Sequence, residues 1–481
     1  MVDVELVISN GIVITVDKDR RVINNGSVAI NDGEIVAVGS SREIDEKYYS
    51  SRTINADGKI IIPGLIDVHA HAGHGLIKTM AMNDDWEKVC GDVYREGSTP
   101  EFWRAEAQLA AMERIRFGVT CGVSLLGGGD TILRTDNPLY ADAHCAGVAE
   151  VGARSVVAVG PTRAPHPLNY ATWQGDKKTS YAVDFETQIK TCEEIISKWH
   201  RHNNDRINIA MVYPVLRDEH EKNMTKVDFS EAVRQAKITR DLSKEAELMF
   251  TQDGHTRGSV KRSYEIGLLG PDALLSHATN LTDEEIKICA ATNTRIAHNP
   301  SAVAAIYGYC PVIELIEAGV IVGLGSDATA PDRSSDMFRH MQQLMHYHRT
   351  HFRDASVMPP GKAMEMATID AAKALGLDNE LGSIEVGKQA DIVLVDMEAA
   401  HLYPKNMEAF RLICFANGND VDTVIIGGEI VLENKQLTRV NQDRILTAAQ
   451  QETEKMIERT SGSRFLELPE GFWKQTRYSK Q

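Results

Sequence analysis

The sequence predicts an α/β protein: a (β/α)8 barrel with a small composite β-sandwich domain formed by both chain ends. Three observations carry this. Apolar strand candidates alternate with helical stretches about eight times in the middle of the chain, the pattern of a parallel barrel. Both flanks of that region are instead strand-rich and punctuated by Asn-Gly, Asp-Gly and Gly-Gly pairs. The 481 residues are 43% hydrophobic, enough for one large domain and a smaller one.

Taken in order, residues 1–60 form the first part of the sandwich. "VELVISNGIVITVD", "GSVAINDGEIVAVG" and "RTINADGKIIIPG" read as a strand meander with no helix. Residues 61–380 form the barrel. Its strand candidates are "GLIDVHAH", "TCGVSLLG", "RSVVAVG", "RINIAMVYP", "AELMFTQ", "ALLSHAT", "RIAHNP" and "VIVGLGSD". "FWRAEAQLAAMERIRFG", "DFETQIKTCEEIISKWH" and "DEEIKICAATN" are helices between them, and "HMQQLMHYHRTHF" is a helix after the eighth strand. A doubly wound open sheet is the competing arrangement, but no GxGxxG or Walker A glycine pattern supports it. Residues 381–440, with "GKQADIVLVDM" and "VDTVIIGGEIVLEN", complete the sandwich, and 441–481 read as a helix and a polar tail.

Charge and composition exclude several classes. A net charge of −16 with no basic cluster repels phosphates, so no nucleic-acid partner is expected. No run reaches about 18 apolar residues, so no membrane association is expected. Seven cysteines without a CxxC pair, behind a start that lacks a basic leader region, read as reduced thiols in a cytoplasmic protein.

The chemistry gathers at strand ends. In "PGLIDVHAHAGHG", His69 and His71 are two apart, a spacing that sends both side chains to one face of a strand together with Asp67. Two imidazoles on one face begin a metal site. His277 ends the sixth strand candidate, His298 the seventh and Asp327 the eighth. Barrel active sites form on that face. Softer candidates are His74 in the glycine-flanked "HAGHG", Arg163 and His166 in "VGPTRAPHPLN", Trp86 and Trp103 as pocket walls, and the Gly-rich "SLLGGGDT".

Together "IIPGLIDVHAH", "SHAT…LTDEEI", "IAHNPSA", "VGLGSDATAPDRSSDMF" and "LGSIEVGKQADIVLVD" resemble the amidohydrolase superfamily over nearly the whole chain. They are most similar to its aminohydrolase group of cytosine deaminase and chlorotriazine hydrolases. The resemblance implies a TIM barrel, one divalent metal ion (Zn2+, with Fe2+ or Co2+ as alternatives) and a small-molecule substrate. It also implies a homo-oligomer. It assigns His69, His71 and Asp327 to the metal, Asp327 also to accepting a proton from water, and His277 to polarising the substrate. His298 opens the "HNP" loop, in this pattern a structural or substrate-rim position; His74 and Arg163, read from their loop settings and not from the resemblance, are further substrate-binding candidates. A lysine bridging a second metal is absent from the end of "RINIAMVYP".

The fifth strand departs from that pattern. Deaminases of this group read His-x-x-Glu there; this chain reads "ELMFTQDGHTRGS". In the simplest register Gln252 takes the ligand's place and His255 the glutamate's. Either His255 reaches the metal, or Gln252 lies near it and His255 shuttles a proton; imidazole is the better ligand, which favours the first. Without the glutamate, the expected reaction is hydrolysis of a non-peptide C–N bond in an amide, urea, carbamate or thiocarbamate. That places the chain near the phenylurea and molinate hydrolases. Deamination of a purine, pterin or triazine is the alternative, and an inactive scaffolding relative is the alternative of another class.

Overall fold

The computed structural model describes residues 1–80, 86–128, 132–302, 308–468 and 472–473. At its centre eight parallel strands follow one another in space in chain order. They are β1 (Leu65–Asp67), β2 (Val119–Leu125), β3 (Arg154–Val159), β4 (Ile207–Val212), β5 (Phe250–Gln252), β6 (Ala273–Ser276), β7 (Arg295–His298) and β8 (Val322–Leu324). The amide of Val68 donates to Leu324 O at 3.2 Å and Ala70 bridges Asp327, which joins β8 to β1 and closes the ring. The eight strand segments expected from the sequence are these eight strands.

Helices cover the outside. Pro100–Arg116 begins with proline in its first turn and Thr99 as its cap; Asp283–Thr292 begins with a reciprocal Thr282–Glu285 capping box. Alternation sorts the strand residues between two cores. Ile66, Val68, Cys121, Val123, Leu125, Val156, Ala158, Ala210, Val212, Leu274 and Ala297, with Met249 against them, form the inner filling. Phe250, Leu275, Ile296, Val322 and Leu324 pack outward among the helices.

The two chain ends share a nine-stranded sheet. Its seam is the antiparallel pair Lys59–Pro63 and Ile392–Asp396, with Ile62 opposite Val393. Lys59–Pro63 runs straight into β1 through Gly64, where a Cβ would sit 2.1 Å from the Thr120 hydroxyl. Two features differ from expectation. The N-terminal meander is interrupted by the short helix Ser41–Lys47, which a Ser40–Glu43 capping box starts. An antiparallel hairpin, Leu168–Gln174 with Lys177–Val183, extends from the loop after β3. Among the described residues, no helix is long and apolar enough to cross a membrane. All seven cysteines are free thiols, and six of them are buried.

Candidate active site

Five side chains meet at the carboxyl end of the barrel: His69, His71, Asp253, His277 and Asp327. His69 Nε2 is 3.2 Å from Asp253 Oδ1 and 3.5 Å from Asp327 Oδ1. His71 Nε2 is 3.1 Å from Asp327 Oδ1 and 3.4 Å from Asp253 Oδ2. His277 Nε2 is 3.1 Å from Asp253 Oδ1 and 4.0 Å from Asp327 Oδ1.

Local backbone makes this convergence. Asp67 accepts from the amides of His69 and Ser326 and from the Ser326 hydroxyl, so it ties β1 to β8 below the cluster and takes no place in it. His277 and Asp327 hold left-handed backbone, with φ of 68° and 62°. Non-glycine residues there cost about 1–3 kcal/mol each, and the turn re-aims the side chain at a strand's end. His71 Nδ1 lies 2.9 Å from Gly127 O; donation to that carbonyl leaves Nε2 with its lone pair toward the cluster. The Asn299 amide reaches His277 Nδ1 at 3.4 Å.

Fields inside the cluster oppose desolvation. Burial alone would lower the pKa of His69, yet the Asp253 and Asp327 carboxylates raise it to about 10. Burial alone would raise Asp253 and Asp327, yet the imidazoles hold both well below the usual carboxylate range. Both acids are therefore ionised, facing a common point.

These residues fit a divalent cation. Among the described residues, neither ring nitrogen of buried His69 finds a hydrogen-bond partner of good geometry, although the Asp253 and Asp327 carboxylates stand 3.2 and 3.5 Å from Nε2. Donors around one ion with bonds near 2.1 Å stand roughly 3.0–3.5 Å apart, close to the separations seen. Among the described residues, two overlapping groups bring their ligand atoms within 4.8 Å of one another, His69–His71–Asp327 and His69–Asp253–His277.

The fifth-strand expectation is corrected by one residue. Met249 packs inward and Phe250 outward, so the alternation sends Gln252 outward with Phe250 and Asp253 inward with Thr251. The Gln252 amide donates toward Tyr213 O and Pro214 O at 3.4 and 3.5 Å and accepts from Ser263 Oγ, on the helix Ser259–Ile266, at 3.1 Å. His255 is not in either cation-binding group; its Nδ1 is 2.9 Å from Ser259 Oγ, and burial pushes its pKa down to about 3. Its residue lines a cavity of about 350 Å³ together with His277, Arg217, Thr256 and Thr279. Asp253 was legible in principle: it is the acidic residue in register with Met249 and Thr251.

The remaining candidates disperse. His74 is buried beside the cluster, its ring 4.9 Å from that of His71 and 5.8 Å from that of Tyr94, with Trp86 edge-on. Trp103 is buried beneath, packed on Tyr94. His298 turns outward, opposite to Ala297, and packs 5.5 Å from His348 of the helix Met337–Phe352. The expectation that it rims the substrate site is thus not supported by its orientation. Arg163 is half-buried on the loop after β3. His166 binds Thr162, Gln188 and Gln235 beside a separate groove. Gly129–Thr131 of the Gly-rich stretch lie outside the described residues.

Residues 60–431 match the Amidohydrolase family. The chain belongs to the amidohydrolase family. As an amidohydrolase it is a hydrolase acting on non-peptide C–N bonds. The 5'-deoxyadenosine deaminase of Methanosarcina acetivorans is 28% identical over 466 residues, covering 95% of this chain and 99% of the relative. The 5-methylthioadenosine/S-adenosylhomocysteine deaminase of Syntrophobacter fumaroxidans is 28% identical over 444 residues, 92% of this chain and 96% of its own. Among solved structures, a zinc-bound adenosine deaminase from Xanthomonas campestris superposes with a TM-score of 0.80 at 23% identity, covering 95% of this amidohydrolase and 99% of that chain. A mutant atrazine chlorohydrolase from Arthrobacter aurescens TC1, complexed with zinc and atraton, gives 0.77 at 20% identity over 93% and 100%.

Proposed function

We propose that this amidohydrolase holds one divalent cation among His69, His71, Asp327 and their neighbours, and hydrolyses a C–N bond at an sp² carbon of a small molecule. The observation that carries this is the convergence of three imidazoles and two ionised carboxylates on one point at the barrel's carboxyl end. A cation bound there supplies Lewis acidity, making water acidic enough to attack at neutral pH. Asp327, anchored by its backbone amide to His69 O, accepts the proton of the attacking water. In this reading His277, which borders both the cluster and the cavity of about 350 Å³, stabilises charge as it develops on the substrate oxygen. Asp327 then returns the proton to the departing nitrogen.

A substrate with its own carbonyl, an amide, urea or carbamate, suits this site. Thr256 stands three residues after Asp253, where a carboxyl would protonate a ring nitrogen, and His255 is neutral and turned to Ser259. The second reading is a deaminase of a 6-aminopurine nucleoside, supported by the 5'-deoxyadenosine deaminase relatives. A release assay on metal-loaded protein tests both. Phenylureas, carbamates and amides would yield amine; 5'-deoxyadenosine and methylthioadenosine would yield ammonia. Amine release without ammonia supports the first reading, ammonia from nucleosides supports the second, and no release from either class overturns both.

A further inference from the structure

The residue in the fifth-strand place is a carboxylate that the fold takes care to aim. Asp253 Oδ1 accepts from Ser276 Oγ at 2.6 Å, and that same hydroxyl accepts from the Gly254 amide at 3.0 Å. Arg217, on the loop after β4, donates from Nη2 to Gly254 O at 2.6 Å. Gly254 has φ +91°, and a Cβ there would lie 2.7 Å from that guanidinium nitrogen. Two bonds and a positive-φ glycine turn therefore hold the residue after Asp253, a third holds its carboxylate, and the carboxylate oxygens reach His69, His71 and His277 together.

The charge of the centre changes with it. Asp253 and Asp327 together carry two negative charges and neutralise a divalent ion; an imidazole in the fifth-strand place would leave the centre one charge more positive. Carboxylate oxygen is a harder donor than imidazole nitrogen and suits manganese(II) and iron(II) better relative to zinc. We propose that Asp253, positioned by Ser276, is a ligand of the cation in this centre and shifts its preference from zinc toward harder divalent ions such as manganese(II) and iron(II). This rests on the reading that the cluster holds a cation.

The test uses the purified full-length protein, stripped with a chelator and checked for folding by circular dichroism. Zinc(II), cobalt(II) and manganese(II) are titrated against a competing chromophoric chelator, and the cobalt(II) visible spectrum is recorded. Wild type is compared with Asp253→His, Asp253→Asn and Ser276→Ala. Asp253→His is expected to raise the zinc-to-manganese affinity ratio at least about tenfold and to change the cobalt spectrum. Asp253→Asn is expected to weaken every ion at least about tenfold, and Ser276→Ala to weaken manganese about tenfold. Asp253→Asn is nearly isosteric and decides the matter if the histidine variant does not fold. Wild-type affinities and spectrum in Asp253→Asn would overturn the inference. The controls His71→Asn and Asp327→Asn separate the two levels: if they lose the cation while Asp253→Asn keeps it, this inference alone fails. If they bind as wild type does, the cation-binding reading fails with it.

Discussion

The backbone amide of Asp327 donates to the carbonyl oxygen of His69 at 2.8 Å, so the last barrel strand is tied to the first beside the two side chains that face each other. The position of each is set by main chain rather than by the contact between their side chains. Asp327→Asn should therefore fold and fail chemically. The expected outcome is a melting temperature within a few degrees of wild type and a kcat lower by about a thousandfold or more. A folded variant of unchanged kcat would remove Asp327 from the reaction.

Removing the cation should cost stability as well as activity. The five groups lie on β1, β5, β6 and β8 ends, so an ion that bridges them binds the folded state only. At a hundredfold excess over Kd such binding contributes about 2.7 kcal/mol. Chelation is expected to lower the melting temperature by a few degrees, with recovery that depends on the concentration of added metal. A melt indifferent to chelator and metal would contradict this.

Gln252→Met tests the register of the fifth strand. The glutamine lies in the helix-facing layer, bonded to Ser263, so its loss leaves that hydroxyl short of one acceptor. A destabilisation of about 1–2 kcal/mol is expected, with metal content unchanged and kcat within about threefold. Loss of metal in this variant, measured by elemental analysis, would mean that Gln252 and not Asp253 faces the ion.

Glu106 sets a stability–pH dependence outside the cluster. It is buried, its Oε1 accepts from the Gly75 amide at 3.3 Å, and burial pushes its pKa up from 4.5 to about 7. A carboxyl raised in the folded state contributes stability that is fully present below about pH 4.5 and is lost as pH rises through about 7. Glu106→Gln keeps the acceptor and removes the titration. It is expected to match wild type near pH 4.5 and to exceed it at pH 8 by about 3 kcal/mol in urea unfolding. Parallel stability curves across that range would show that Glu106 is ionised throughout.

The barrel and most of its site were legible because period and position are local properties. "VHAH" and "GLGSD" announce polar groups at the ends of apolar strands, and those groups do converge. What was missed had three physical causes. At β5 a one-residue change of register reverses every face, and Gln252 was read in the place that Asp253 holds. At β7, His298 ends a strand like its neighbours but takes the face opposite to Ala297 and packs on His348. The hairpin 168–183 and the helix Ser41–Lys47 are local elaborations whose short alternations and caps are weak signals beside a long meander.

The ladder between Lys59–Pro63 and Ile392–Asp396 also has a temporal consequence. During synthesis the first sixty residues leave the ribosome long before their central partner exists. At about 5–20 residues per second that interval is tens of seconds, in which β-prone edges stand unpaired while the barrel strands are still being made. The small sheet therefore pairs late, and a chain ending before Ile392 would hold Lys59–Pro63 without the strand it pairs with across the seam.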